Sequence, residues 1–328
     1  MRKKGTTILI MTLLLLIAFE ILTTSKAILE TVSFSFQIWK NNIFPSLFPF
    51  FILSELLIAY GFVEFLGEIC KPLMVRFFKT NANTAFIFIM SIISGCPSNA
   101  KYTKELLKEG LITEKEATKV LMFSHFSNPL FILGTVSLLF LNNKEAGLLI
   151  LIVHYSINFL IGFLFRSYLS TPSENVHVSI RTAFSRMHQR RLQNRDNFGT
   201  ILTNAISNTI QTLLLILGTI TVFLVITTIL DQNLDFNTFH QGILNGMIEM
   251  TQGLKYISAL HIPLDLKSSL TAMILSFGGF SVHMQVMSIL SDTNVKYLPF
   301  LIARIMHATL AGLLVYFLFD PWMTFIAM

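Results

Sequence analysis

Residues 94–101 read SGCPSNAK, and this stretch decides how the chain is arranged in a membrane. It follows an apolar run, 84–93, that is too short to cross a bilayer. Gly95 and Pro97 interrupt a helix there, and Ser98 places a polar group at the interruption. Irregular backbone at membrane depth must be buried in protein or line a cavity. The stretch is therefore either the tip of a re-entrant hairpin or a loop at the membrane surface.

Composition places the chain among integral membrane proteins. Hydrophobic residues make up 53 % of it and charged residues 13 %, whereas soluble domains carry about 25 % charged residues. The net charge of +6 does not indicate a nucleic-acid partner, because the arginines collect in one loop, 166–200, as orientation signals do. The two cysteines, and the lack of His or Cys at ligand spacing, predict no disulfide framework, no metal site and no cofactor.

Six apolar runs predict about six transmembrane helices. The first run follows Arg2-Lys3-Lys4 and is interpreted as an uncleaved span whose N-terminus is cytoplasmic, with a cleaved signal peptide as the alternative. Two broken segments, 84–109 and 266–290, have arms too short to span and are predicted to be re-entrant hairpins. The predicted spans are 6–24, 45–63, 120–141, 146–165, 205–230 and 298–319.

The third predicted span carries two local signals. Thr113, with Glu116 three residues later, forms a capping box, so a helix should begin there. Pro129 interrupts that helix after Ser127 and Asn128, and it frees a backbone carbonyl. Transporters use such breaks to contact their substrates, and a packed proline kink is the alternative.

The two halves of the chain show the same order of elements. Gly95–Ser98 corresponds to Gly278–Ser281, and a histidine follows at His125 or His307. One linking span, 146–165, reverses the orientation of the second half. We therefore predict an all-α integral membrane protein with about six transmembrane helices plus two re-entrant helical hairpins in an inverted repeat.

This repeat divides the chain into four units. The units are an N-terminal helix and linker at 1–40, a first repeat at 41–141 with its hairpin at 84–109, a linking helix and basic cytoplasmic loop at 142–203, and a second repeat at 204–328 with its hairpin at 266–290.

The two tips should meet near the bilayer midplane and present helix N-termini, which favour anions. Arg304 suits bidentate recognition of a carboxylate, and together with Lys101 it predicts a small anionic substrate. The predicted substrate-binding residues are Gly95, Ser98, Asn99, Lys101, Ser127, Asn128, Gly278, Gly279, Ser281, His283, Gln285, Arg304 and His307.

Several of these residues have a structural alternative. Arg304 could instead pair with Glu55 or Glu249, which are otherwise candidate coupling acids. His307 could be a packing residue, and His283 could take part in proton coupling. The polar residues of the span 146–165, His154 and Asn158, are interpreted as interhelical packing and hydrogen bonding.

Three stretches resemble a known family. They are SGCPSNAK, EGLITEKEATKVLMFSHFSNPLFILGTV at 109–136, and SFGGFSVHMQVMSILSD with LPFLIARIMHATLAG within 276–312. From about residue 40 the chain is similar to the sporulation integral membrane protein family YlbJ, which contains the nucleoside recognition Gate domain. More distantly it resembles the concentrative nucleoside transporter fold. The resemblance implies a transporter-like protein of endospore-forming bacteria that moves dipicolinate across the outer forespore membrane.

Other functions stay open at this point. They are a nucleoside-type transporter, a non-transporting membrane scaffold in spore assembly, and an intramembrane hydrolase using Ser281 and His307. We assign no catalytic residue and expect a non-enzymatic protein with both termini in the cytoplasm. The expected partners are a small anionic substrate and the lipid bilayer, without nucleic acid, and a homo-oligomer is left open.

Overall fold

The computed structural model of the chain describes residues 2–170 and 178–327, and these are predominantly helical, without a β-strand. The all-α prediction is therefore confirmed. Three π-helical segments, Trp39–Ile43, Pro72–Phe77 and Phe131–Phe140, accompany the α-helices. The α-helices are α1 (Arg2–Thr23), α2 (Ser25–Ile38), α3 (Phe44–Ala59), α4 (Phe62–Ile69), α5 (Thr84–Ser94), α6 (Ser98–Lys108), α7 (Glu114–Phe123), α8 (Lys144–Leu164), α9 (Ile180–Gln193), α10 (Phe198–Asn233), α11 (Thr238–Ile248), α12 (Met250–Ala259), α13 (Leu264–Phe277), α14 (Gly279–Ile289) and α15 (Tyr297–Ala327).

Within the described ranges, 5 helical stretches are long and apolar enough to cross a membrane, and a bent pair raises the number to 6. This agrees with the predicted number of spans. The helices of the bent pair meet at 52°. The stretches are Gly5–Thr23, Lys144–Leu164, Phe198–Asn233, Leu264–Ile289 and Tyr297–Ala327, and the bent pair is Ser25–Ile43 with Leu47–Ala59.

Two predicted spans, 45–63 and 120–141, are not continuous membrane-length helices. The chain leaves α3 at Ala59 and turns at Gly61, whose φ of 82° lies in the left-handed region. The other span is interrupted between Phe123 and Pro129, as the missing N–H of proline favours.

The hairpin predicted at 84–109 is present as two antiparallel helices. α5 ends at Ser94 and α6 begins four residues later at Ser98. The hydroxyl of Tyr102 on α6 donates to Ser94 Oγ at 2.9 Å, and its ring centroid lies 5.7 Å from that of Phe86 on α5. The depth of this hairpin in the bilayer stays a prediction.

The hairpin predicted at 266–290 is wrong in position. α13 and α14 run on through Gly278 as one candidate span of 26 residues, Leu264–Ile289. The chain passes Gly278, whose φ is 87°, without folding back, because α13 and α14 together form one span. The glycines there mark a break inside a span, and the sequence interpretation took them for a tip.

The second hairpin of the structure is formed by α11 and α12, which turn at Glu249. A Cβ on Gly253 would overlap the Cα of Gly246, and one on Gly242 would lie 3.0 Å from Ile257 Cδ1. Small residues at such interfaces let helix backbones approach closely. The hairpin is therefore held by contact between glycines of its two arms.

Side-chain caps set the starts of several helices. The predicted capping box is confirmed, since Thr113 N donates to Glu116 Oε2 at 2.7 Å and Glu116 N donates to Thr113 Oγ1 at 3.3 Å. Asparagine oxygens cap three further helices in the same way. These residues are Asn143 for α8, Asn197 for α10 and Asn237 for α11.

The predicted basic loop contains a helix, α9, that lies across α4. Arg186 pairs with Glu68 at 2.9 Å, and Arg190 pairs with Glu64 at 3.4 Å. Arg190 also pairs with Glu109, next to the end of α6. Residues 171–177 of the loop lie outside the described residues. The arginines thus dock α9 on α4 and on the first hairpin.

The long helices α8 and α15 pack antiparallel. Trp322 Nε1 donates to the carbonyl of Glu145 at 2.9 Å near one end of the pair. Near the centre, the ring centroids of His154 and His307 are 4.5 Å apart. This contact places the polar residues of both helices against the interrupted regions of the chain.

Candidate functional site

Four irregular points of backbone lie side by side in the structure. We call Gly95–Pro97 the first tip and Ile248–Met250 the second tip, because they join the arms of the two hairpins. We call 124–128 the first break and 278–279 the second break, because they interrupt helices.

Contacts fix the order of these points. Cys96 N donates to the Phe126 carbonyl at 2.6 Å, so the first tip touches the first break. A Cβ on Gly278 would lie 3.3 Å from His125 Nε2, so the two breaks touch. A Cβ on Gly279 would lie 3.0 Å from Met250 N, so the second break touches the second tip. Gly95 and Gly278 therefore both lie against the first break.

A cavity of about 360 Å³ opens beside both tips and the first break. Four predicted residues line it: Ser127, Asn128, Gln285 and Glu249. Apolar side chains from α3 and α10 form much of the remaining wall. The first cavity thus combines hydrophobic walls with convergent polar groups, as ligand sites do. Its polar lining consists of Asn41, Asn42, Ser127, Asn128, Thr135, Glu249, Thr251 and Gln285.

The polar groups of the first cavity are only partly engaged. Ser127 Oγ is buried and has no hydrogen-bond partner, and Gln285 makes one long bond, 3.4 Å, to Ser281 Oγ. Asn128 Nδ2 donates to the Ser94 carbonyl at 3.0 Å and so ties the first break to α5. Unpaired buried polar groups are costly, so this cavity is suited to a hydrogen-bonding ligand.

Glu249 has the only charged side chain among the described residues that line the first cavity. Its carboxylate accepts from Gln252 N at 2.9 Å and from the Thr251 hydroxyl, and so caps α12. The positive end of the helix dipole stabilises a carboxylate in this position. The capping role holds Glu249 at the second tip.

Arg304 lies outside both cavity linings and is fully buried. Its guanidinium donates to the carbonyls of Met122 at 2.6 Å and His125 at 3.3 Å, and to Asn158 Oδ1 at 3.2 Å. The Met122 carbonyl belongs to the last turn of α7 and the His125 carbonyl follows in the first break, so the cation lies at a helix C-terminus, where it is favourable. The alternative pairing with Glu55 or Glu249 is not found, because both acids have other partners.

Histidines complete this buried cluster. Arg304 Nη1 donates to His307 Nδ1 at 2.8 Å. His154 Nε2 accepts from Ser127 N at 3.0 Å, so its Nδ1–H faces Ser276 Oγ at 3.0 Å. The interpretation of His154 and Asn158 as hydrogen-bonding residues between helices is confirmed.

Lys101 forms a buried ion pair with Glu55, which also accepts from Asn208 Nδ2 at 3.0 Å. Glu55 and Asn208 line a second cavity, of about 370 Å³, together with Glu105 and Arg190. The second cavity lies on the side of α9 and the predicted basic loop.

The remaining predicted residues lie near the breaks without lining either cavity. His283 Nε2 donates to the Phe277 carbonyl at 3.0 Å and so caps α13, while its Nδ1 faces the Tyr297 hydroxyl at 3.0 Å. Ser98 Oγ and both amide atoms of Asn99 are buried without a hydrogen-bond partner. These orphaned groups lie next to the first tip.

The Ser–His pair that a hydrolase would need is not formed. Ser281 is bonded to Gln285, and His307 is bonded to Arg304. His307 therefore does not act as a hydrogen-bonded base for Ser281 in this structure.

Sequence reasoning missed part of the lining of the first cavity. Asn41 and Asn42 lie at the bend between α2 and α3, where adjacent amides in apolar sequence were an available signal. Thr135 and Thr251 carried no signal, because isolated threonines are common in membrane helices. Cys96 and Pro97, which belong to the SGCPSNAK stretch at 94–101, also line the first cavity.

These features define an integral membrane protein of helices, in which hairpin tips and a helix break meet beside a partly polar cavity. Residues 42–144 match the family model described as "Gate: Nucleoside recognition". The chain is 34 % identical to the sporulation integral membrane protein YlbJ of Bacillus subtilis (strain 168), over 98 % of this chain and 85 % of the relative. The chain belongs to the family of that sporulation integral membrane protein. No solved structure matches it significantly.

Proposed function

We propose that this protein is a membrane transporter of a small carboxylate anion, with dipicolinate, moved across the outer forespore membrane, as the substrate. The observation that carries the proposal is the first cavity, where both tips and the first break converge. Irregular backbone around a partly polar cavity is the usual way in which transporters hold their substrates.

The charge of the anion is met by helix ends. α6 starts just after Pro97, and the helix after the first break starts at Pro129. Both start beside the lining of the first cavity. Helix N-termini stabilise anions through free N–H groups and the dipole.

An inverted repeat would give the cavity a way to open to either side. The order hairpin, broken helix, long helix occurs twice, first as α5–α6, α7 with Phe131–Phe140, and α8. It occurs again as α11–α12, α13–α14 and α15, and α8 and α15 are antiparallel. This supports an inverted repeat whose second hairpin lies at 238–259. With the basic loop in the cytoplasm, the end of α15 lies on the opposite side, beside the start of α8, and not in the cytoplasm as the sequence predicts.

A neutral, nucleoside-like solute is the second candidate. The lining of amides and hydroxyls, which has no lysine or arginine among the described residues, favours it.

The test is uptake of dipicolinate and of uridine into proteoliposomes that contain the full chain. Gln285→Leu removes a polar group from the first cavity, and Gln211→Leu on the exposed face of α10 is the matched control. Dipicolinate uptake that Gln285→Leu abolishes and Gln211→Leu preserves supports the proposal. Uptake of uridine alone supports the second candidate, and uptake of neither solute supports a scaffold.

A further inference from the structure

The two cavities lie along the same three helices. The first cavity contacts Leu47 of α3, Pro97 before α6, and Ile216 of α10. The second cavity contacts Glu55, Glu105 and Asn208 of the same helices. On each helix the two positions are eight residues apart, which is about 12 Å of helix rise. The cavities therefore follow one another along these helices as two chambers.

A thin layer of side chains separates the chambers. Lys101 lies one turn after Pro97 on α6 and is 3 % exposed. It pairs with Glu55, and its Nζ lies 5.2 Å from the ring centroid of the buried Phe51. Leu213 of α10 is fully buried at the same level. Lys101–Glu55 is thus the charged part of an otherwise apolar layer.

The chemistry of this pair indicates how the layer could open. Separating a buried ion pair is costly because each charge is left without a partner. A carboxylate that arrives from the first cavity removes that cost at Lys101, since it replaces one carboxylate with another. Glu55 meanwhile keeps Asn208 as a donor and faces the second cavity. A neutral solute offers no such exchange.

We infer that the Lys101–Glu55 pair is the barrier between the two cavities, and that a carboxylate substrate opens it by taking the place of Glu55 at Lys101. This rests on the proposed transport of an anion. Lys101 would then bind the carboxylate while the substrate passes between the cavities, one helical turn beyond the first cavity.

Cys96 provides the test, because it lines the first cavity. In a Cys70→Ser background it is the one remaining cysteine. A membrane-impermeant maleimide is added to sealed vesicles on the side of the basic loop, and its reaction with Cys96 is timed with and without dipicolinate. We expect slow labelling without dipicolinate and faster labelling with it.

Glu55→Gln should speed labelling without dipicolinate by on the order of tenfold, because it removes the buried partner of Lys101. The matched control is Glu105→Gln, which removes the same charge from the second cavity but leaves the pair intact. The exchanged variant Glu55→Lys with Lys101→Glu restores an ion pair. It should label slowly both with and without dipicolinate, because the cation has moved from α6 to α3.

Labelling that stays slow in folded Glu55→Gln protein would overturn the inference. Fast labelling of the exchanged variant would overturn it too. Dipicolinate uptake by the wild type is measured in parallel. If the wild type takes up dipicolinate but Glu55→Gln does not change labelling, the barrier is rejected and the proposed function is kept. If Glu55→Gln labels fast but the wild type takes up no dipicolinate, the proposed function is rejected and the barrier is kept.

Discussion

The buried cluster around Arg304 and the first cavity use similar residues for opposite purposes. In the cluster, the guanidinium donates to His307, to Asn158 and to two backbone carbonyls, while Arg304 Nε and His307 Nε2 have no partner. In the cavity, Ser127 Oγ has no partner and Gln285 has one long bond. In an apolar protein interior, a polar group with several partners on different helices holds those helices together. Groups that are left unsatisfied beside open space indicate a ligand site.

The largest expected effect on stability comes from removing the guanidinium of the buried cluster. Arg304→Met should lower the free energy of unfolding by about 3 kcal/mol or more, because it leaves several buried acceptors unpaired. Arg304→Lys should be intermediate, since a lysine keeps the charge but lacks the planar fork. Thermal unfolding in detergent measures both. A variant with wild-type stability that no longer responds to dipicolinate would instead assign Arg304 to the ligand.

A smaller effect is expected at the second hairpin. Gly253→Ala should destabilise the protein by about 2–3 kcal/mol, because the new methyl group must push α12 away from Gly246 and overpacking is costly. Gly218→Ala on α10 is the control, since nothing lies within 4 Å of its added Cβ. Equal melting temperatures for the two variants would contradict the close contact of α11 with α12.

At the first tip, one variant should affect both stability and transport. Gly95 has a φ of 82°, and an added Cβ would lie 2.5 Å from Asn128 N. Gly95→Ala should cost about 2 kcal/mol through backbone strain and should also reduce transport, because the first tip must shift away from the first break. Gly134→Ala, with open space around its Cβ, serves as the control for both stability and uptake. A loss of uptake in both variants would show that the effect on transport is not specific to the first tip.

The smallest effect on stability should occur inside the cavity. Ser127→Ala should change the free energy of unfolding by less than about 0.5 kcal/mol, because its hydroxyl has no partner to lose. Binding of the ligand should weaken roughly fivefold, as the loss of one hydrogen bond implies. Ser137→Ala is the contrasting control, since Ser137 Oγ donates to the Asn143 carbonyl at 3.0 Å. It should cost stability and leave binding unchanged.

The sequence predicted features with local causes. The capping box at Thr113, the interruption before Pro129 and the arms of the first hairpin follow from caps, ring constraints and short apolar runs. Most of the long apolar helices also follow from length and composition. The polar residues of the first break were recognised for the same reason, because Pro129 makes the break visible.

The position of the second hairpin depended on long-range packing. Its tip is a single extended residue, Glu249, with φ −138° and ψ 116°, and it contains neither glycine nor proline. The signals lie in the arms, where Gly242, Gly246 and Gly253 allow close approach. The similar sequences Gly95–Ser98 and Gly278–Ser281 suggested equivalent positions in the two halves. In the structure the first forms a hairpin tip and the second a break within a span. The hydrogen bonds of Arg304 in the buried cluster could not be predicted, because two of its acceptors are backbone carbonyls, which every residue has.

The way in which Arg304 is held has a consequence for the response to membrane potential. Within the described residues its partners are carbonyl and amide oxygens and a histidine nitrogen, so no carboxylate cancels its charge. A full traverse of the membrane by one such charge involves about 2.3 kcal/mol per 100 mV. Any movement of α15 across the bilayer would therefore couple to voltage. The first hairpin carries Lys101, whose charge is cancelled by Glu55 of α3 while the pair is closed.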